Sequence, residues 1–171
     1  KHHLDSLSIK PYLPRGACVD VGCGAGFPSI PLAIVSPENQ FTLLDSNGKK
    51  TRFVKHAIGQ LKLPHCTVEQ ARVEQFHTET AFAAILCRAF ATLPDIVRMC
   101  DRVFTEQTLL LAMKGLLPKS ELNELPADVM VDSIHSLAIP GLEAERHLVI
   151  LRRRRLCGEN IGNDQSERGR G

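Results

Sequence analysis

The feature that most constrains this chain is a glycine-rich segment close to its N-terminus. Residues 19–33 read VDVGCGAGFPSIPLA, and the apolar residues at 17–19 and 21 predict a strand that runs into it. The three glycines are Gly22, Gly24 and Gly26. Because glycine adopts positive φ readily and lets the backbone lie close to a ligand, the pattern predicts a strand, a cofactor-binding turn and then a helix. The dinucleotide fingerprint GxGxxG would require its third glycine at position 27, where the chain has Phe27.

Apolar runs that predict strands alternate with segments of helical periodicity along the chain. Strands are predicted at residues 17–21, 41–44, 66–69, 82–86, 109–113, 129–137 and 147–151. Helices are predicted at residues 4–9, 28–35, 47–61, 93–104 and 120–125, with a polar crossover at 71–76. This alternation predicts an α/β fold with a doubly wound, mostly parallel sheet, and the almost uniformly apolar run 109–113 predicts its central strand. The last two strands, separated by Pro140 and Gly141, predict an antiparallel C-terminal hairpin.

The length and composition predict one domain followed by a basic tail. The chain has 171 residues, 43% of them hydrophobic, which suits a single α/β core that we expect to span residues 1–153. Residues 154–171 are rich in arginine, glycine and polar residues and hold too few apolar ones to offset the cost of ordering, so we expect a flexible tail. A basic tail either adds phosphate contacts or stays solvated, and solvation is the commoner outcome.

Several signals of other protein classes are missing from the sequence. No apolar run reaches the roughly 18–20 residues of a membrane span, and no charged-then-apolar leader opens the chain, so we expect a cytoplasmic protein. The six cysteines form no CxxC pair and the seven histidines form no HExxH motif. We therefore expect reduced thiols, no disulfide framework and no metal site.

Charged residues and glycines fall where successive strands end, and ligands of open α/β sheets bind outside the carboxyl ends of the strands. The first strand ends in the glycine turn, and the residues at or after the ends of the next four are Asp45, Val73 with Glu74, Arg88 and Lys114. Asp45 comes 23 positions after Gly22, close to the offset of about 20 at which a carboxylate binds ribose hydroxyls. The alternative is a helix cap, since Asp45 precedes the helix predicted at 47–61.

Arg88 and Lys114 each follow an apolar strand and are therefore candidates for binding an anionic group, either a cofactor carboxylate or a substrate phosphate. The competing interpretation is a pair of surface cations whose stems lie on apolar surface, and the spacing alone does not separate the two. Cys87 is either a nucleophile activated by its cationic neighbour or a buried thiol. No histidine or aspartate lies nearby in sequence to act as its base, so a buried thiol is the simpler interpretation.

Longer segments of the chain resemble a known family. DVGCGAGFP resembles motif I of the class I S-adenosylmethionine-dependent methyltransferases. HHLDS, DVGCGAGFPSIPLAI, FTLLDSNGKKTRFV, ARVEQF, CRAFATL, AMKG and ERHLVI are similar, in this order, to segments of the glucose-inhibited division protein B family, over about residues 2–151. The resemblance implies a Rossmann-like class I methyltransferase fold with a seven-stranded sheet and S-adenosyl-L-methionine as cofactor. It also implies methyl transfer to N7 of a guanine in 16S ribosomal RNA.

The resemblance further implies which residues form the site. Those it assigns to the cofactor are Gly22 and Phe27 in the turn, Val73 and Glu74 in the crossover, and Arg88 after the fourth strand. Gly24, Gly26 and Asp45 join them through the argument from spacing. Lys114 and the basic residues of GKKTR at 48–52 would face 16S ribosomal RNA or the small ribosomal subunit. Nothing in the sequence demands a second chain, so we expect a monomer.

The implied reaction needs little from the protein beyond alignment. Guanine N7 carries an in-plane lone pair and no proton, so methyl transfer from a sulfonium requires no general base. Catalysis then consists of aligning the nucleophile, the methyl group and the leaving sulfur in a site that excludes water. Arg88 and Lys114 are the candidates for positioning the guanine or its phosphates.

The chain departs from the family pattern in three respects. Family members carry helices before the HHLDS segment, which we expect this chain to lack, and the arginine-rich tail extends beyond the usual end. Ser29 replaces a usual glycine and Cys87 a usual serine. Two alternatives stay open: a class I methyltransferase acting on a small molecule or a protein, and a non-catalytic RNA-binding module that retains the pocket as structure. A nicotinamide dehydrogenase is disfavoured by Phe27, which breaks its fingerprint.

Overall fold

Seven strands and five α-helices form in a computed structural model that describes residues 2–88, 91–139 and 144–154. The strands are β1 (Ala17–Val21), β2 (Gln40–Asp45), β3 (Cys66–Gln70), β4 (Ala84–Arg88), β5 (Leu109–Lys114), β6 (Val129–Ser136) and β7 (His147–Arg153). The α-helices are α1 (His2–Leu7), α2 (Ser29–Val35), α3 (Gly48–Gln60), α4 (Leu93–Met99) and α5 (Lys119–Asn123). Two 3₁₀ helices cover Lys10–Tyr12 and Val73–Gln75. The basic tail predicted at 154–171 lies, apart from Arg154, outside the described residues.

The strands pair in one sheet of order β3-β2-β1-β4-β5-β7-β6. The first five strands in this order run parallel, while β7 pairs antiparallel with both β5 and β6. The predicted seven-stranded, mostly parallel sheet with an antiparallel C-terminal pair is thereby confirmed. The chain crosses from one side of β1 to the other between β3 and β4, so the carboxyl end of β1 is the switch point where such folds bind ligands.

The core lies on both faces of the sheet. Leu111 of β5 belongs to the cluster that includes Leu32 of α2 and Val54 of α3. Its neighbour Leu110 belongs to the opposite cluster, which includes Ile96 of α4. Because successive side chains of a strand point to opposite faces, β5 supplies both layers, and both leucines are fully buried. The prediction of a strand covered on both faces is confirmed. Its predicted central position is wrong, because β4 is the middle strand and β5 ends the parallel part of the sheet beside antiparallel β7.

The helix predicted at 93–104 is shorter in the structure, because α4 ends at Met99. The chain continues in hydrogen-bonded turns, in which the Phe104 amide donates to the Cys100 carbonyl at 2.8 Å. Cys100, Val103 and Phe104 are nevertheless buried. Their apolar spacing is compatible with a helix and with a turn packed on the sheet, which is why the sequence overestimated the helix. The other predicted strands and helices begin and end within two residues of the observed ones.

Replacing Leu111 by alanine removes a fully buried side chain from β5, an interior strand of the sheet. We expect the free energy of unfolding to fall by about 2–5 kcal/mol, because a cavity remains where the side chain packed. Ile134→Ala, on edge strand β6 and 39% exposed, is the control and should change it by less than about 1 kcal/mol. Urea unfolding measures both, and equal losses would contradict the burial of β5 between the two layers of the core.

Candidate functional site

The glycine turn between β1 and α2 has the backbone conformation that its sequence predicts. Gly22, Gly24 and Gly26 have φ of 70°, 56° and 89°, in the left-handed region that other residues rarely adopt. At Gly26, a Cβ would also lie 2.4 Å from Cδ1 of Ile30 in α2. Glycine is therefore favoured at this position by its conformation, and a larger residue would also have to displace the Ile30 side chain.

Asp45, the last residue of β2, holds the turn in place. Its Oδ2 accepts a hydrogen bond from the Gly24 amide at 3.0 Å, and its Oδ1 accepts one from the Asn47 amide at 2.8 Å. The helix cap considered for Asp45 is provided instead by Asn47, whose side chain accepts from the amides of Lys49 and Lys50. Each carboxylate oxygen of Asp45 has a second lone pair, which leaves acceptor capacity for a ligand with adjacent hydroxyls.

A cavity of about 280 Å³, which we call the turn cavity, lies beside the turn at the carboxyl ends of β1, β2 and β3. It is lined by Val21, Gly22, Leu44, Asp45, Ser46, Ala71, Arg72, Val73, Glu74 and Met99. Four residues predicted to bind the cofactor thus come together, although they belong to a turn, a strand end and a 3₁₀ helix far apart in sequence. They are Gly22, Asp45, Val73 and Glu74.

Asp20, inside β1, is a residue of this region that the sequence analysis passed over. Its side chain is 1% exposed, and neither carboxylate oxygen has a hydrogen-bond partner among the described residues. Burial raises the pKa of Asp20 to about 7, with a smaller upward effect from Asp45. Ser29, close by but outside hydrogen-bonding geometry, and the charge of Arg88 lower this pKa only in part. The sequence signal was a carboxylate in an apolar strand directly before the glycines.

Arg88 and Lys114 line a second cavity of about 290 Å³, at the carboxyl ends of β4 and β5. We call it the cation cavity, and its lining residues are His2, Asp5, Arg88, Met113, Lys114, Gly115 and Arg146. One Arg88 guanidinium nitrogen lies 3.4 Å from Nδ1 of His2. The two predicted cations therefore share one cavity, and neither of them lines the turn cavity.

Lys114 is buried and not a surface cation. Its side chain is about 8% exposed, and its Nζ donates to the Ala91 carbonyl at 2.7 Å and to Oε2 of Glu121 at 2.9 Å. The same Glu121 oxygen accepts the Leu93 amide at the start of α4 at 2.8 Å. The ammonium has three donors, so these two contacts leave one for a ligand in the cation cavity.

Phe27 lines neither cavity, and it contacts α1 instead. Its ring centroid lies 4.9 Å from that of His3, edge to face, and 6.0 Å from that of His2. The peptide bond between Phe27 and Pro28 is cis. The HHLDS segment is therefore packed against the glycine turn, where it supplies His2 and Asp5 to the cation cavity.

The thiol of Cys87 is fully buried, and its Sγ lies 3.8 Å from the Leu111 carbonyl. Burial raises the pKa of Cys87 well above its ordinary value. The thiolate is the nucleophilic form, which this burial disfavours. The interpretation of Cys87 as a buried thiol is confirmed.

Among the described residues, no three His, Cys, Asp or Glu side chains are grouped as a metal site requires. In the same part of the chain, no helix is both long and apolar enough to cross a membrane.

Comparison with known sequences gives a match over most of the chain. The family model described as GidB, rRNA small subunit methyltransferase G, matches residues 1–149. A protein of Stutzerimonas stutzeri (strain A1501), named ribosomal RNA small subunit methyltransferase G, is 50% identical over 155 residues. That alignment covers 90% of this chain and 72% of the relative.

Two solved structures with the same fold are similar to this chain at low sequence identity. The tRNA methyltransferase TrmK of B. subtilis superposes with a TM-score of 0.69 at 14% identity, covering 88% of this chain and 65% of TrmK. A SAM-dependent methyltransferase from Aquifex aeolicus superposes with a TM-score of 0.65 at 14% identity, covering 86% and 88% of the two chains. At these identities the likeness establishes the fold.

Alanine at Gly26 should disrupt the turn, because a Cβ there meets Ile30 and the φ of 89° is strained for alanine. We expect a loss of more than about 1 kcal/mol in the free energy of unfolding. Gly59→Ala in α3 is the matched control, since a Cβ there meets nothing within 4 Å, and its stability should stay equal or rise by up to about 1 kcal/mol. Thermal unfolding compares the two, and equal effects would count against the strained turn.

The unpaired carboxylate of Asp20 makes stability depend on pH. Its pKa of about 7 in the folded protein exceeds the value of about 4 for an unfolded aspartate. The folded state therefore keeps a proton that the unfolded state releases, so this contribution is full below about pH 4 and is lost as the pH rises through about 7. Asp20→Asn removes the titrating group. Between pH 4 and pH 8, the free energy of unfolding of the wild type should fall by roughly 2–4 kcal/mol relative to that of this variant.

The measurement is urea unfolding of the wild type and Asp20→Asn, without cofactor, at several pH values in this interval. Taking the difference between the two proteins cancels the titration of all other groups. A difference that stays constant with pH would mean that Asp20 has the same pKa in the folded and unfolded proteins, and would contradict the raised pKa.

Proposed function

We propose, since this chain belongs to the rRNA small subunit methyltransferase G family, that it transfers the methyl group of S-adenosyl-L-methionine to N7 of a guanine in 16S ribosomal RNA. The observation that carries the proposal is the pair of neighbouring cavities at the strand ends. One is formed by the glycine turn and Asp45, and the other by Arg88 and Lys114. The first suits a ribose-bearing cofactor and the second an anionic substrate.

The residues present fit this cofactor. Asp45 has acceptor capacity for ribose hydroxyls, as its contacts to Gly24 and Asn47 leave lone pairs free. The buried, unpaired carboxylate of Asp20 suits a cationic ligand, and S-adenosylmethionine carries both an ammonium and a sulfonium. The residues that would hold it are Gly22, Gly24, Gly26, Phe27, Asp45, Val73, Glu74 and Arg88. The bound cofactor supplies an electrophilic methyl group on sulfur.

No residue is proposed as a general base, because guanine N7 has no proton to remove. The protein's part is to align the base and to exclude water, which is the role we propose for Arg88 and Lys114. Both line the cavity beside the proposed cofactor site, and Lys114 is fixed there by Glu121 and the Ala91 carbonyl. Arg88 would lie between cofactor and substrate.

The proposed RNA-binding surface includes the start of α3. Lys49, Lys50 and Arg52 are exposed there, next to the turn cavity, with Nζ of Lys50 4.0 Å from the Asp45 carboxylate. Lysine and arginine at such a position contact phosphates without reading sequence. We further propose that residues 1–153 form one domain that acts as a monomer in the cytoplasm on 16S ribosomal RNA or the small subunit.

The direct test is incubation of the chain with labelled S-adenosylmethionine and 30S subunits isolated from cells that lack the methylation. Label should appear as 7-methylguanosine after nuclease digestion of the RNA. Label confined to protein or to small molecules would instead support a methyltransferase with another substrate. Failure to bind S-adenosylmethionine at millimolar concentration in calorimetry would support a non-catalytic RNA-binding module.

Arg88→Ala should reduce methylation of 30S subunits by at least about 10-fold, because a charged donor is lost from the cavity where base and cofactor meet. Arg98→Ala is the matched control, since Arg98 lies on α4, is 75% exposed and pairs only with the nearby Asp95 among the described residues. It should keep the wild-type rate. If Arg88→Ala retains both full methyl transfer and full cofactor affinity, the role proposed for Arg88 is wrong.

A further inference from the structure

Asp5 of the HHLDS segment is a buried carboxylate with unused acceptor capacity. Its side chain is about 9% exposed, and Oδ1 has no hydrogen-bond partner among the described residues. Nε of Arg146 lies 3.7 Å from this oxygen, which is close enough for charge attraction and too long for a hydrogen bond. A buried acceptor without a hydrogen bond costs free energy, which a ligand that donates a hydrogen bond to it would recover.

Asp5 lies in the wall of the cation cavity. The other charged side chains that line it are Arg88, Lys114 and Arg146, and all three can only donate hydrogen bonds. Among the described lining residues, Asp5 is therefore the one carboxylate. A ligand group with hydrogen-bond donors would be accepted in this cavity by Asp5.

Guanine has such donors on an edge that remains accessible while N7 reacts. Arginine and lysine usually recognise guanine through O6 and N7. When N7 must face the methyl group, protein side chains cannot bind it, and the Watson–Crick edge of the base is left for recognition. There N1–H and the N2 amino group lie side by side as two donors, which a carboxylate can accept together. Adenine has an acceptor at N1 and no N2 amino group, so the same carboxylate would reject it.

We propose that the carboxylate of Asp5 binds the N1–H and N2 amino group of the target guanine, and that Asp5 thereby sets the base specificity of methylation. The proposal rests on the function proposed above and adds the residue that reads the base. The target nucleotide would have to leave its stack to enter the cavity, as bases modified by other enzymes do. Arg146 is a positioning residue, because its charge holds Asp5 without occupying Oδ1 by a hydrogen bond.

The first test is Asp5→Asn, which keeps the size of the side chain and removes its charge and one acceptor. Methylation of 30S subunits should fall by about 5- to 150-fold, while calorimetry should give wild-type affinity for S-adenosylmethionine. Asp132→Asn is the matched control, because Asp132 is exposed on β6 and pairs with Arg152, and it should keep the wild-type rate. A wild-type rate in Asp5→Asn would overturn the proposal.

The second test separates base reading from a structural role of Asp5. The methylated guanosine is mapped, and a 16S rRNA carrying inosine at that position is made by splinted ligation and assembled into 30S subunits. Inosine keeps N7 and N1–H and lacks only the N2 amino group. The wild type should methylate it about 10- to 100-fold more slowly than guanosine, because a charged hydrogen bond is missing. Asp5→Asn should discriminate less between the two RNAs.

Equal rates on guanosine and inosine for the wild type would overturn the proposal, and this measurement needs no variant to fold. An unchanged ratio in a folded Asp5→Asn would also overturn it, since Asp5 would then support the structure without reading the base. Absence of any methylation by the wild type would mean that the proposed function itself has failed. These results are distinguishable in one set of reactions.

Discussion

The site depends on the contact between the Asp45 carboxylate and the Gly24 amide, which ties the glycine turn to the end of the neighbouring strand. A turn with three residues at positive φ has little conformational preference of its own, because glycine is the most flexible residue. A charge-assisted hydrogen bond of about 1.5–3 kcal/mol fixes it from outside. A second link, from the Cys23 amide to the Leu44 carbonyl at 2.9 Å, reinforces the attachment. Turn and strand end therefore form one rigid wall of the turn cavity.

The sequence predicted the sheet well because buried strands appear in it as short apolar runs. Strands β4 and β5 are covered on both faces and appear as continuous apolar runs, which few other structures produce. The predicted end of α4 was wrong because an apolar pattern reports that Cys100 and Phe104 are buried. It does not report which hydrogen bonds their backbone makes. Local periodicity cannot separate a helix from a turn that packs on the same surface.

Within the site, residues carried by the turn and by strand ends were predictable, since chain order alone places them at one edge of the sheet. Partners from distant segments were not. The contact of Lys114 with Glu121 requires knowing how α5 packs, and that of Asp5 with Arg146 joins the two ends of the domain. Asp20 was missed for a different reason, because a carboxylate among apolar residues does not fit the strand pattern. What makes it distinctive is its burial without a hydrogen-bond partner in the described part of the chain.

The pairing of Lys114 with Glu121 and of Arg146 with Asp5 also determines how the proposed complex with RNA responds to ionic strength. Cations already neutralised inside the protein release few counterions when a phosphate approaches. At the start of α3, Lys49 and Arg52 are exposed and have no ion pair among the described residues, while Lys50 lies 4.0 Å from Asp45. These exposed cations would account for most of the salt-dependent affinity. The cation cavity would then contribute discrimination that persists at high salt, so that attraction and selectivity arise from separate parts of one surface.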